Sequence, residues 1–242
     1  MITEKITYEC TRCQSLNIVK NGLTKQGKQK FHWHTCGAYG TLNPTVKYPP
    51  ERKEEIIRAY QERSSLRGLE RIFGVSRQTV ATWLKKKAEH LPPLEHTLVE
   101  SEPDDVLELD ELWSFMGKKK NKRWIWIALC RRTRQVVSYF IGDRSEESCW
   151  RLWIWIPRGY RHCRTYSDFW ETYQTVFGTL GKGHQSVGKE SGETAHVERW
   201  NNSLRQRLGR FVRQTLSFSK SDEYHEIALR LYLHDYNISL IS

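Results

Sequence analysis

Long hydrophobic runs are missing from this sequence. Only 38% of its 242 residues are hydrophobic, and no apolar stretch approaches the roughly 18 residues needed to cross a bilayer. The opening residues, MITEKITYECTRC, also lack the apolar segment of a secretion signal. We therefore expect a cytoplasmic protein without a membrane partner.

Cysteine is also scarce, with six residues in the chain. In a cytoplasmic protein, cysteines are more often free, buried or metal-bound than paired in disulfides. Cys130, Cys149 and Cys163 fall in segments that we predict to be strands and a helix, so we expect them to act as small buried hydrophobic side chains.

Acidic residues are too few to balance the basic ones. The formal net charge is +11 and the isoelectric point is about 9.4. A polyanionic partner follows from this excess, although charge alone does not distinguish DNA from RNA or an anionic membrane surface. The 12% aromatic content is sufficient for a hydrophobic core, which argues against wholesale disorder.

Residues 1–45 are predicted to form a small zinc-ribbon-like module. Cys10 and Cys13 make a CxxC knuckle, which places two thiolates on one ion. Trp33 stands where a second such pair would have its first cysteine. The remaining ligand candidates are Cys36 and, as the fourth, either His34 or His32. The alternative is a ribbon held together by its aromatic residues without metal.

Residues 46–89 have the pattern of a helix-turn-helix DNA-binding domain. Gly74 provides the turn between two helices and Ser76 is a favourable N-cap for the second. In this motif the second helix enters the major groove. We expect base-edge or groove contacts from Arg77, Gln78 and Thr82, and phosphate contacts from Lys85 to Lys87, including Lys86. A helical hairpin used only for packing is the alternative.

A proline-containing linker, residues 90–104, precedes a region whose residue pattern indicates strands as well as helices. Residues 105–242 read as three antiparallel strands, a helix, a fourth strand that ends near Ser167, and further helices. This order matches the ribonuclease-H-like layout, a mixed sheet with helices on its faces. The predicted fold class is therefore α+β and multidomain: zinc ribbon, helix-turn-helix, then ribonuclease-H-like domain.

Three acids are expected to meet in that layout. Asp110 lies in the first strand, Asp168 at the end of the fourth, and Glu198 on a late helix. Converging carboxylates in a basic protein need a counter-charge, and Mg²⁺ or Mn²⁺ supplies it through oxygen ligands. Two such ions, roughly 3.5–4 Å apart, stabilise the attacking and leaving oxygens of a phosphoryl transfer.

Other acids compete with these three for the site. Glu108 and Glu111 flank Asp110, and we expect both to point away from its face because strand side chains alternate. Asp168 is favoured because Tyr166 and Phe169 would anchor its strand end. The rivals for the later positions, which we interpret as solvated acids, are Asp143, Glu171, Glu190 and Glu193.

The segment from His196 to Lys220, HVERWNNSLRQRLGRFVRQTLSFSK, is predicted to be helical. Its apolar residues recur at three- and four-residue steps, and a second row of polar residues holds Glu198 among amides and guanidinium groups. Such a surface suits phosphate. The alternative is a solvated basic helix in which Glu198 makes a local salt bridge.

Three motifs resemble transposases of the insertion-sequence-one type, which are bacterial DDE enzymes. The motifs are DELW at Asp110, SDFW at Asp168 and VGKESGETAHVERWNNSLRQRLGRFVRQTLSFSKS around Glu198. The resemblance implies cleavage at the ends of an insertion element, transfer of those ends into target DNA, and Asp110, Asp168 and Glu198 as the catalytic, metal-binding triad. It also implies phosphate contacts from Lys189 and Arg205, a homodimer or larger assembly, and a location with the bacterial nucleoid.

Other functions fit parts of the sequence. A non-catalytic repressor of the element would need only residues 1–89, and a nuclease of the same fold would need no such DNA-binding front end. A decayed transposase is a further alternative, since Trp33 replaces a ribbon cysteine. The family can also produce the full protein by ribosomal frameshifting, for which the Lys85–Lys87 region is the candidate position.

Overall fold

The computed structural model describes residues 8–10, 12–42 and 48–241. The chain separates into two compact units, Met1–Lys53 and Glu54–Ser242. The structure does not test the predicted division into four parts, which stays a prediction, and residues 1–7 and 43–47 of it lie outside the described residues.

The first unit contains a three-stranded antiparallel sheet. Its strands, in the order β1-β2-β3, are β1 (Ile18–Leu23), β2 (Gln29–Trp33) and β3 (Ala38–Gly40). Gly27 has φ +77° and donates its N–H to the carbonyl of Thr24 at 3.0 Å, which closes the turn between β1 and β2. Trp33 is only 8% exposed and is buried in this unit, unlike the exposed aromatic rings of Tyr8 and Tyr39.

Three helices precede the second sheet: α1 (Pro50–Gln61), α2 (Leu66–Phe73) and α3 (Arg77–Glu89). Gly74 ends α2 with φ +65°, and the Ser76 hydroxyl accepts a hydrogen bond from the N–H of Thr79 at 3.2 Å, as expected for an N-cap. Val75 is fully buried between the two helices. Leu69 of α2 is buried, whereas Ile72 of the same helix is 68% exposed.

The second sheet has five strands in the order β6-β5-β4-β7-β8. The first three are antiparallel neighbours, whereas β7 and β8 run parallel to β4. The strands are β4 (Val106–Met116), β5 (Lys118–Cys130), β6 (Val136–Gly142), β7 (Arg164–Ser167) and β8 (His184–Ser186). The helices are α4 (Glu146–Trp155), α5 (Glu171–Leu180), α6 (Ala195–Arg207) and α7 (Asp222–Ser239).

Helices cover both faces of this sheet. On one face, α4 and α5 pack over a core that includes Leu107, Leu109 and Trp126, and that also buries Cys130, Cys149 and Cys163 as expected. On the other face, α6 packs on β4. The imidazole of His225 on α7 lies between the hydroxyls of Ser114 and Ser219, at 3.0 and 2.7 Å, which ties α7 to β4.

Two segments differ from the sequence-based expectation. The sequence analysis predicts helices but no strand after Ser167, whereas residues 184–186 form β8, the outer strand of the sheet. The helix expected from His196 to Lys220 ends at Arg207, and Phe211 lies in a single 3₁₀ turn beyond it. The apolar stripe is nevertheless buried, since Leu208 and Phe211 fill the core from outside the helix.

No described helix combines the length and the apolar character that a membrane span requires.

Candidate active site

Asp110 and Asp168 lie side by side on neighbouring strands. Glu108 of β4 pairs with Tyr166 of parallel strand β7. Two residues further along each chain the same register brings Asp110 level with Asp168, which directly follows β7. The charge of Asp168 contributes to the raised pKa of Asp110, as expected for carboxylates that lie close together.

The carboxylate of Asp110 is largely buried and has two hydrogen-bond donors. Its Oδ2 accepts from Nδ2 of Asn201 on α6 at 2.7 Å, and its Oδ1 accepts from the N–H of Glu111 at 2.9 Å. Burial, followed by the charges of Glu111 and Asp168, raises the pKa of Asp110 to about 7. A positive charge placed here would therefore be strongly stabilised.

Glu198 lies on α6 one turn before Asn201, on the same face of the helix. Its Oε1 accepts a hydrogen bond from the Thr194 hydroxyl at 3.1 Å. Within the described ranges, Asp110, Asp168 and Glu198 do not form a group whose ligand atoms all lie within 4.8 Å of one another. The structure thus places Asp110 on β4, Asp168 directly after the neighbouring strand β7, and Glu198 on the helix that packs on β4.

Glu108 shares the face of Asp110, so the expectation that it points away is wrong. Residues two apart in a strand lie on the same side, and Glu108 is completely buried there. Its Oε2 accepts from the backbone N–H groups of His196 and Val197, at 2.9 and 3.0 Å. Its Oε1 accepts from Arg131 Nε at 2.8 Å and lies 2.6 Å from His196 Nδ1. Glu108 therefore anchors the N-terminus of α6 to β4.

Glu111 points to the opposite face, as expected. Its Oε2 accepts from the hydroxyl of buried Tyr173 at 2.8 Å, and its Oε1 accepts from Arg144 at 2.6 Å. The Arg144 guanidinium stacks on Trp170, 3.8 Å from the ring centre. Burial raises the pKa of Glu111 despite these partners, and the charge of Asp168 adds to the shift.

Asp168 is exposed, and its Oδ1 accepts a hydrogen bond from the Trp170 N–H at 3.1 Å. The expectation that Phe169 anchors this strand end is wrong, because that ring is 71% exposed. Trp170 has this role instead, since its ring stacks on Trp126 at 5.2 Å between centroids.

The rival acids have other surroundings. Asp143 accepts from the hydroxyls of Ser145 and Ser148 at the start of α4, and these hydrogen bonds lower its pKa. Glu193 pairs with Arg131 at 2.7 Å. Glu171 is the first residue of α5, and Glu190 is exposed in a single 3₁₀ turn.

Three cysteines of the first unit form a cluster. The ligand atoms of Cys10, Cys13 and Cys36 all lie within 4.8 Å of one another, and no other such group occurs among the described residues. Burial raises the pKa of Cys10, but hydrogen bonds from the Arg12 and Cys13 backbone and from Cys36 outweigh it and lower the pKa to about 7. His34, the candidate fourth ligand, is not a member of the group.

The other fourth-ligand candidate, His32, stacks on Tyr39 with 4.1 Å between ring centroids. The cluster is compatible with a zinc ribbon that supplies three thiolates.

The predicted DNA-contacting residues of α3 are all exposed: Arg77, Gln78, Thr82, Lys85 and Lys86. Arg77 pairs with Glu70 at 3.0 Å, and Lys85 pairs with Glu223 of α7 at 2.6 Å. Exposed ion pairs of this kind contribute only about 0–1 kcal/mol. Replacing these glutamate partners by DNA phosphates would therefore cost little free energy.

Arg205 and Lys189, the phosphate-contact candidates near the acids, differ in position. Arg205 lies on α6, and its Nε is buried without a hydrogen-bond partner. Burial and the nearby Arg213 lower the pKa of Arg205, while the charge of Asp110 opposes that shift. Lys189 is exposed in the 3₁₀ turn of residues 189–191 that precedes α6.

Comparison with known proteins identifies the class as a transposase. A family model described as IS1 transposase matches residues 106–238. The chain is 34% identical over 128 residues to the insertion element iso-IS1n protein InsB of Shigella dysenteriae. The aligned region covers 53% of this chain and 93% of the Shigella protein. It is 35% identical over 127 residues to the IS1 protein InsB of Shigella flexneri, covering 52% and 92%. The chain belongs to the IS1 transposase family.

Proposed function

We propose that the protein is a DDE transposase that binds the terminal inverted repeats of its element and catalyses metal-dependent DNA cleavage and strand transfer. The observation that carries the proposal is that Asp110 lies on β4, that Asp168 directly follows the adjacent parallel strand β7, and that the helix presenting Glu198 packs on β4. The family match over the same residues supports it.

The strand order supports a ribonuclease-H-like fold for this domain. Numbered from β4, the sheet runs 3-2-1-4-5, with three antiparallel strands followed by two parallel ones. In this order the first and fourth strands are neighbours, which accounts for the meeting of Asp110 with Asp168. The helix that follows the fifth strand crosses beside them.

The donor atoms suit hard divalent cations, Mg²⁺ or Mn²⁺. Asp110, Asp168 and Glu198 offer carboxylate oxygens, and the raised pKa of Asp110 marks a place that lacks a positive partner. When bound, two such ions lower the pKa of the attacking hydroxyl and stabilise the leaving oxygen. Glu198 on α6 would supply the third carboxylate of the ligand set.

The protein's own groups orient this site. The amide of Asn201 donates to Oδ2 of Asp110, and the N–H of Glu111 donates to Oδ1 of the same carboxylate. These two hydrogen bonds fix the orientation of the carboxylate. Arg205 would supply a guanidinium near Asp110 for a phosphate next to the reacting bond, and Lys189, exposed in the turn before α6, would contact a further phosphate of the DNA.

The helical segment before the second sheet would recognise the DNA sequence at the ends of the element. In this proposal α3 is the recognition helix of a helix-turn-helix, with Arg77, Gln78 and Thr82 at base edges and Lys85 and Lys86 at phosphates. The partners are then double-stranded DNA of the element ends and of the target. Pairing of two ends calls for a homodimer or larger assembly.

The cysteine cluster leads to a prediction about zinc. Purified full-length protein is expected to carry about one zinc per chain, because three thiolates within 4.8 Å bind this ion well. Cys36→Ser should weaken retention in a chelator titration followed by metal analysis, whereas Cys163→Ala, a buried cysteine of the second unit, should not. If the wild-type protein binds no zinc, the prediction is wrong and the module is a ribbon without metal.

Strand transfer in vitro tests the proposed function. Purified protein is mixed with labelled DNA that carries the element ends and with target plasmid, either in Mg²⁺ or in chelator. Joined product is expected only with metal, and Asp168→Asn should lower its yield by at least about 1000-fold, a loss typical of key catalytic groups. Glu171→Gln, three residues away at the start of α5, is the matched control and should keep activity.

A repressor of the element is the remaining candidate, because the helical segment alone could bind the terminal repeats. It predicts specific binding with neither cleavage nor joining under both conditions, and full repression by Asp110 and Asp168 variants.

A further inference from the structure

A cavity of about 470 Å³ lies at the β6 edge of the five-stranded sheet. The outer strand β6 is separated by β5 from the strand that carries Asp110. Four segments form the walls: residues 92–95, residues 137–139 of β6, the end of α4 with the turn after it, and α7. Ligand pockets in proteins have volumes of about 300–1,000 Å³, so this cavity has room for a small organic molecule.

Part of the cavity wall is aromatic and apolar. Trp155, at the end of α4, is 50% exposed and packs edge-on against Tyr139 of β6, with 6.4 Å between the ring centroids. Pro92, Pro93 and Ile154 extend this wall. Such a surface suits a planar ring, because aromatic side chains offer a large contact area and a defined geometry.

Three arginines line the same cavity: Arg158, Arg161 and Arg230. Two carbonyls at the end of α4 accept hydrogen bonds from Arg161, at 2.6 and 2.9 Å. Among the described residues, the guanidinium groups of Arg158 and Arg230 have no hydrogen-bond or ion-pair partner. Glu95 is the one acid of the cavity wall and forms no ion pair with these arginines. The cavity is therefore positively charged and suits an anion.

His234 of α7, one turn beyond Arg230, contributes a buried polar group to the cavity wall. Its side chain is 3% exposed, and its Nδ1 has no hydrogen-bond partner in the described part of the chain. Buried polar atoms without a partner are rare in proteins, so this one calls for a ligand or another explanation. Burial, followed by the charge of Arg230, lowers the pKa of His234. The neutral ring is suited to a hydrogen bond with a polar group of a ligand.

We propose that this cavity binds a nucleotide. The base would pack against the ring of Trp155 and place its polar edge at His234. The phosphate would bind Arg158 and Arg230, because guanidinium groups match the geometry and charge of phosphate oxygens. A free nucleotide and a nucleotide of a DNA strand share this chemistry. The inference does not rest on the proposed function, since no residue of the cavity wall belongs to the proposed catalytic or DNA-contacting groups.

Equilibrium dialysis of the purified protein in chelator tests this site. The probes are the four deoxynucleoside monophosphates, a deoxynucleoside, inorganic phosphate, a short single-stranded oligonucleotide, and an acidic peptide that contains phenylalanine. The variants are Arg158→Ala, Arg230→Ala, their double, and Trp155→Ala, with Arg230→Lys as the charge-conserving variant. Arg151→Ala is the matched control, because Arg151 is an exposed arginine of α4 that pairs with Glu147 outside the cavity.

At least one monophosphate is expected to bind with about one molecule per chain. Each arginine-to-alanine variant and Trp155→Ala should weaken that binding about tenfold or more, and the double variant further. Arg230→Lys should retain most of the affinity, and Arg151→Ala should retain all of it. The deoxynucleoside and inorganic phosphate should each bind at least about tenfold more weakly than the monophosphate. Binding of the oligonucleotide alone, weakened by the same variants, would assign the nucleotide to a DNA strand.

Three results would overturn the inference. The first is a wild-type protein that binds neither monophosphates nor the oligonucleotide, or binds them with an affinity that the double variant and Trp155→Ala leave unchanged. The second is inorganic phosphate that binds as tightly as any nucleotide. The third is a peptide that binds more tightly than any nucleotide. Circular dichroism of each variant confirms that a loss of binding does not come from a loss of fold.

Discussion

Asp110→Asn is expected to abolish strand transfer and, at the same time, to make the metal-free protein more stable. The carboxylate of Asp110 is largely buried next to Glu111 and Asp168, and its pKa is raised to about 7. Folding at pH 8 therefore places a charge where burial and neighbouring charges oppose it. Asparagine removes the charge and retains the shape; its one amide oxygen can accept from Asn201, while the N–H of Glu111 loses its acceptor, a smaller loss than the charge that is removed.

The expected gain in the free energy of unfolding is on the order of 2 kcal/mol. This is less than the free energy that corresponds to the full pKa shift, because the metal-free site can relax around the charge. Denaturant unfolding in chelator measures it. Added Mg²⁺ should stabilise the wild type by mass action and leave Asp110→Asn unaffected.

Asp143→Asn is the matched control with the opposite sign. Asp143 accepts hydrogen bonds from two serine hydroxyls that lower its pKa, so this variant should lose stability and keep its response to Mg²⁺. If Asp110→Asn proved less stable than wild type in chelator, Asp110 would be a structural carboxylate rather than a site held ready for metal.

The elements that carry the candidate acids could be predicted from the sequence because their patterns are strong. The sequence of β4 alternates, that of β5 is an apolar run, and Ser145 precedes α4 as its N-cap, so these elements follow the predicted order of strands and helix. The element order predicts that the first and fourth strands of this domain are neighbours, and β4 and β7 do pair in parallel. Asp110 lies in β4 and Asp168 directly follows β7. Their roles remain proposals.

What sequence reasoning missed has physical causes. The strand β8 is only His184–Ser186, too short for alternation to appear against its Gly- and Lys-rich surroundings. The helix α6 was extended too far because Leu208 and Phe211 keep helical spacing, although they reach the core from a 3₁₀ turn. Glu108 was misplaced, and the signal was available: it lies two residues before Asp110 and therefore on the same face.

Glu108→Ala is expected to cause the largest loss of stability among the substitutions near the site, about 3 kcal/mol. The side chain of Glu108 is fully buried and accepts from two backbone N–H groups of α6, from Arg131 and from His196. Alanine would leave these donors without their acceptor in the interior and would remove the negative charge from the helix N-terminus.

The same substitution should reduce strand transfer more than DNA binding. Glu108 does not reach the proposed metal ligands, but it fixes the first turn of α6, from which Glu198 projects two residues later. Displacement of that turn by even about 1 Å would move Glu198 out of position relative to Asp110 and lower the turnover rate on the order of 100-fold. Binding of the element ends, which the proposal assigns to α3, should change little.

Glu193→Ala provides the comparison, because it removes only the partially exposed partner of Arg131. It should cost less than about 1 kcal/mol and leave turnover intact. Glu108→Gln retains one acceptor oxygen and should fall between alanine and wild type in both measurements. Equal losses of binding and turnover in Glu108→Ala, measured at a temperature where circular dichroism shows folded protein, would mean that Glu108 supports the fold in general and does not position α6 for catalysis.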